Sequence, residues 1–182
     1  KYSNIEFIPG INEQHIPFGV YKVVGSYAPT EFEETCEKED YALLVLDETT
    51  GTAAGYFGLY IASKEILKGK ELNVIRYPGY VGNKDEEKTR DILSGTGRHQ
   101  LWGMKGKYWY FCDKDENDGD FLVNYEEILT TPGQSGSGVF YQVEGTNEYY
   151  VIGVHILGRE GGGGSAIWIT RERFAQIKGW IS

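Results

Sequence analysis

The chain has 182 residues, enough for one domain that buries its own core without cross-links. Aromatic residues make up 14% of it and there are 25 Gly, a mixture that favours strands joined by tight turns over a helical bundle. A formal net charge of −9 argues against gripping a phosphate backbone, and no apolar run reaches the ~20 residues needed to span a bilayer.

The opening Lys1-Tyr2-Ser3-Asn4 shows neither an initiating Met nor a signal peptide, which suggests a processed or truncated chain. Strands are predicted at Ile5–Ile8, ending at Pro9-Gly10, and at Val20–Val24, ending at Gly25. Tyr41–Leu46 is apolar throughout, as in a strand buried on both faces, and stops at the turn-rich run Asp47–Gly51. Ala62–Leu67 fits either one helical turn or a loop. Further strands are predicted at Leu72–Tyr77, His99–Met104, Lys107–Cys112, Val139–Val143, Tyr149–Ile156 and Ala166–Ile169. Strands this frequent, divided by Gly and Asx turns, indicate an antiparallel sandwich or barrel. Asp113–Asp120 is an acidic loop and Gly161–Gly164 a flexible one. Thr170 stands as an N-cap, with Phe174, Ile177 and Ile181 following at helical spacing, so a short helix closes the chain. Cys36 and Cys112 allow one disulfide, two free thiols, or pairing outside the chain.

The sharpest feature is Thr130-Thr131-Pro132-Gly133-Gln134-Ser135-Gly136-Ser137-Gly138. A nucleophilic serine needs an exposed hydroxyl, and backbone N–H groups aimed at the oxygen that becomes negative in the transition state. Flanking glycines permit the tight turn that provides both. A plain Gly/Ser surface turn is the competing explanation. Two other motifs fail: an α/β-hydrolase elbow needs Gly two residues after the nucleophile, where Ser137 stands, and no Gly-Lys-Ser/Thr phosphate loop exists.

Pro132–Phe140 resembles the nucleophile loop of chymotrypsin-like serine proteases, and within them the glutamyl endopeptidase branch, with Gly138 where that branch usually has Pro. Asp40-Tyr41-Ala42-Leu43-Leu44-Val45-Leu46 resembles the strand start carrying that family's catalytic aspartate. Gly153-Val154-His155 resembles the strand after the nucleophile. The resemblance implies an all-β chain of two antiparallel six-stranded β-barrels, the first incomplete, with a C-terminal helix. Residues 1–60 would supply the rest of the first barrel, 70–169 the second and 170–181 the helix. It further implies Ser135 as nucleophile and Asp40 as the carboxylate that orients the base. The N–H groups of Gly133 and Ser135 would form the oxyanion hole, and Ile156, Leu157 and Gly158 would pair with a peptide or protein substrate. His155 and Thr130, five residues before Ser135, would favour Glu or Asp on the acyl side of the cut bond. No cofactor and no metal are implied, and family habit suggests a secreted or lumenal protein.

The family's Thr-Ala-x-His-Cys motif, which supplies the general base, does not occur here. His15 precedes Asp40 but lies in a loop-like stretch, and His99 reads as a strand residue. A maturation cut, a partial sequence, or loss of the base each account for this. An N-terminal fragment of the same precursor, or another protein, is expected to cover the open first barrel. The alternative function is an inactive protease homologue that binds peptides or partners in the same cleft. The acidic loop invites calcium, but its Gly119 and Asn124 miss the EF-hand spacing, so a solvated loop is the expectation.

Overall fold

The structure, a computed structural model, describes residues 4–12, 14–30, 39–77, 101–108, 122–128, 133–158 and 162–182. Thr130, Cys36, Cys112, His99 and the acidic loop 113–120 lie outside these residues. Among the described residues no helix is long and apolar enough to cross a membrane, and no group of three or more His, Cys, Asp or Glu side chains clusters as metal ligands.

Two sheets form. The first is antiparallel, with strand order β1-β2-β3: β1 (Glu6–Phe7), β2 (Tyr21–Tyr27) and β3 (Leu43–Leu46). Strand β2 runs past the expected stop at Gly25, where its pairing with β3 shifts register. The double-sided burial expected for Tyr41–Leu46 is not observed. In β3 Leu44 is 45% exposed and Val45 37%, because β3 is the edge of a three-stranded sheet that covers neither of them. Phe7 and Val24 are likewise exposed.

A short helix α1 (Gly51–Ala54), strand β4 (Gly58–Leu59) and helix α2 (Lys64–Leu67) lead to the second sheet. The Ala62–Leu67 stretch thus forms the helical turn, capped by Ser63, whose hydroxyl accepts from Ile66 N–H at 3.3 Å. The second sheet runs β6-β5-β8-β9-β10-β7, with β4 parallel to β9. Its strands are β5 (Glu71–Arg76), β6 (Trp102–Lys107), β7 (Leu122–Tyr125), β8 (Gly138–Gln142), β9 (Tyr149–Gly158) and β10 (Gly164–Trp168). The last strand returns to the first: Tyr108 bridges Tyr125, and Glu126 N–H donates to Lys107 C=O at 3.0 Å. The sheet therefore curls round until its two outer strands meet at this bridge, as in a barrel.

Closure depends on one glycine. A Cβ on Gly106 would stand 2.0 Å from Glu126 O and 2.7 Å from Ile128 Cγ1, so only glycine lets β6 approach this closely. No break separates Met104 from Lys107, where two strands were expected: Lys105 and Gly106 continue β6. Leu72, Val74, Val123, Val139, Ile152 and Ala166 fill the barrel at 0% exposure, each large aliphatic side chain adding roughly 1.5–3 kcal/mol of burial.

Helix α3 (Arg171–Trp180) closes the chain, and Thr170 caps it as expected, accepting from Arg173 N–H at 3.3 Å. Its packing face differs from the expected one. Ile181 is exposed, and Arg173 is the buried helix residue, while Ile177 and Trp180 pack on Tyr41, Ile156 and Ile167. This cluster joins the first sheet to the barrel.

Candidate active site

The loop before β8 carries Ser135. Gly133 and Gly136 on either side have φ of +87° and +91°, left-handed backbone that favours glycine. Ser137 N–H donates to Gln134 C=O at 3.1 Å and closes the turn, while Gln134 itself is buried. Two further bonds fasten the loop to β9: Gly136 N–H to His155 C=O and His155 N–H to Ser137 C=O, both 2.8 Å. The Ser135 side chain stays exposed, and its hydroxyl donates to Ile156 C=O at 3.2 Å.

Asp40 is exposed and sits at the centre of a three-residue turn, in which Tyr41 N–H donates to Glu39 C=O at 2.9 Å. Asp40 and Ser135 share one cleft of about 540 Å³, lined also by Tyr41, Ala42, Leu44 and Ile156. It lies between the two sheets, with β3 on one wall and the Ser135 loop and β9 on the other. Neither described histidine lines it. His15 is exposed in a turn where its backbone pairs with Asn12.

Side chains alternate along a strand, so Val154 and Ile156 face the cleft and His155 faces into the barrel. His155 is 2% exposed, and its Nδ1 is hydrogen-bonded with the Tyr125 hydroxyl. Burial is the main cause that pushes its pKa down to about 4; the Arg76 charge adds to it, and a hydrogen bond with the Ser165 backbone opposes it. The imidazole is therefore neutral at pH 7. Burial likewise raises the Tyr125 phenol and lowers the Arg76 guanidinium. Gly164 lies against both rings: a Cβ there would stand 3.1 Å from His155 Cε1 and 3.0 Å from Tyr125 Cε2.

Sequence reasoning did not find Arg76 and Tyr125. The signal for Arg76 was its parity with Leu72 and Val74, which puts a charge on the apolar face of β5. Its Nη2 donates to Met104 Sδ at 2.6 Å.

Strand β9 has different neighbours along its length. Up to Val154 it pairs with β8, whereas Gly153–Gly158 pairs with β10. Ile156, Leu157 and Gly158 thus extend past the end of the β8 ladder, with Leu157 and Gly158 exposed.

No protein-family model matches the chain, and no curated protein matches its sequence. Solved structures do resemble it. A Glu endopeptidase solved in complex with MPD superposes with a TM-score of 0.72 at 23% identity, over 97% of this chain and 71% of that one. Protease Anisep from Arthrobacter nicotinovorans gives 0.66 at 17% identity, over 91% and 69%. A thermostable serine protease from an extremophilic microorganism gives 0.71 at 14% identity, over 98% and 75%. The shared property is the fold: a small first sheet, a strongly curled second sheet and a short C-terminal helix, in a chymotrypsin-like arrangement.

Proposed function

We propose that the chain is the larger part of a serine endopeptidase that cleaves peptide bonds through an acyl-enzyme on Ser135. The observation that carries the reading is the common cleft of Ser135 and Asp40, in a fold shared with serine proteases. In this reading a histidine from outside the 182 residues enters the cleft. Asp40 accepts the histidine's Nδ1–H and fixes its tautomer, and Nε2 takes the Ser135 proton. Ser135 Oγ bonds to the scissile carbonyl carbon, and the N–H groups of Gly133 and Ser135 hold the oxyanion. The C–N bond then breaks, the leaving amine takes the proton from the imidazolium, and water releases the acid by the reverse sequence. Ile156, Leu157 and Gly158 hold the substrate as an added strand.

We further read the protein as preferring Glu or Asp on the acyl side, through Thr130 and His155. In this reading the His155 ring gives up its contacts with Tyr125 and the Ser165 backbone to donate an N–H to the carboxylate, and being neutral at pH 7 it offers a hydrogen bond and not a counter-charge. The exposed apolar side chains of β1–β3, among them Phe7, Val24 and Leu44, suit cover by an N-terminal fragment of the same precursor or by another protein. The protein is read as secreted or lumenal.

A peptide library incubated with the full native protein tests this. Hydrolysis is expected, with Glu and Asp enriched before the cut, and Ser135→Ala is expected to abolish it. Hydrolysis by the Ser135→Ala protein at the parent rate refutes the assignment. Efficient cleavage with no acidic preference removes the specificity alone.

A further inference from the structure

Both residues that flank Asp40 are held by helix α3. On one side, the Glu39 carboxylate pairs with Arg173, whose Nη2 lies 3.2 Å from Glu39 Oε1. Arg173 is itself fixed: it is 4% exposed, its Nη1 donates to Trp168 C=O at 3.0 Å, and its guanidinium lies 5.7 Å from the centre of the Tyr41 ring. On the other side, the Tyr41 hydroxyl donates to Gln176 Oε1, and the Tyr41 ring packs 5.9 Å from that of Trp180. Arg173, Gln176 and Trp180 fall at spacings of three and four, on one face of α3. The turn between these two anchors is closed by its own hydrogen bond, and Asp40 is its middle residue.

We propose that Arg173 and Gln176 are positioning residues for Asp40. By gripping Glu39 and Tyr41, α3 sets the height and direction of the Asp40 carboxylate over the Ser135 wall. The inference rests on the catalytic reading of Asp40 given above. Its chemical logic is that an orienting carboxylate works only within a narrow geometry, and the turn carrying Asp40 is exposed at its apex. The helix that follows the second sheet thereby aligns the turn before β3 with the nucleophile loop before β8. Neither Arg173 nor Gln176 lines the cleft, so neither touches substrate.

The test uses Glu39→Gln, Arg173→Met and Tyr41→Phe in the full native protein, with Ile128→Val as a core variant that weakens the fold away from the turn. Steady-state kinetics and hydrogen exchange at the Tyr41 amide are the readouts. For Glu39→Gln and Arg173→Met, kcat is expected to fall about tenfold or more with KM within about twofold, while Tyr41 exchange speeds up by a similar factor. Tyr41→Phe is expected to show a smaller change of the same kind. Ile128→Val should leave kcat and Tyr41 exchange at parent values at temperatures where it stays folded. Unchanged Tyr41 exchange in Arg173→Met overturns the clamp, and so does a loss of kcat that Ile128→Val reproduces at matched stability. Absence of hydrolysis by the parent protein refutes the protease reading, and with it the catalytic meaning of the clamp, whatever the exchange data show.

Discussion

Replacing His155 by Gln removes a buried titratable ring, and the cost should depend on pH in a defined direction. The folded-state pKa is pushed down from 6.5 to about 4, chiefly by burial. Between those values the unfolded chain binds a proton that the folded chain refuses, so acid favours unfolding. The contribution of His155 is fully present above pH 7, declines as pH falls through 6.5, and is exhausted near pH 4. At about 1.4 kcal/mol per pH unit the gap is worth at most about 3.5 kcal/mol. Relaxation and water entry around the charged ring reduce this, and we take about 1.5 kcal/mol as the expected effect. Urea unfolding at about pH 7.5 and about pH 4.5 measures it. Between the two, the parent protein should lose roughly 1–2 kcal/mol more than His155→Gln, a midpoint difference of roughly 0.5–1 M urea. Equal losses in the two proteins, or a parent that gains stability in acid relative to the variant, would refute the reasoning.

Gly106→Ala should be severely destabilising, by about 3 kcal/mol or more, because its Cβ would meet the Glu126 carbonyl at 2.0 Å; thermal unfolding reads this directly. Thr170→Ala removes the hydroxyl that caps α3 and should cost about 1 kcal/mol by urea midpoint, since Arg173 N–H loses its acceptor. Asp40→Asn should lower kcat by about 10⁴ in the full native protein while its unfolding midpoint stays within error, since Asp40 is exposed.

The sequence made the barrel strands from Val139 onward legible because their apolar runs are long and end at glycine or Asx turns. Helix α3 was legible from a cap with a known mechanism at Thr170. The role of Gly106 was not legible, because only its approach to Glu126 in three dimensions shows why glycine stands there. Strand β3 misled because an apolar run states what a strand could bury, not what covers it; Leu44 and Val45 are left exposed. The Ser135 loop was readable from its glycines, whose left-handed angles at Gly133 and Gly136 are a local requirement. The surroundings of Asp40 were not. Glu39 and Arg173 are 134 positions apart, and no local pattern couples them. The Arg76, Tyr125 and His155 group was hidden for the same reason, since three strands bring it together.

The most direct measurement is the site of covalent capture by a fluorophosphonate. The full native protein is treated with the reagent, digested, and mapped by tandem mass spectrometry. A single phosphonyl adduct on Ser135, lost in Asp40→Asn and after denaturation, is the predicted result. A folded native protein that leaves Ser135 unmodified, or that carries the adduct on Ser137 instead, contradicts the account.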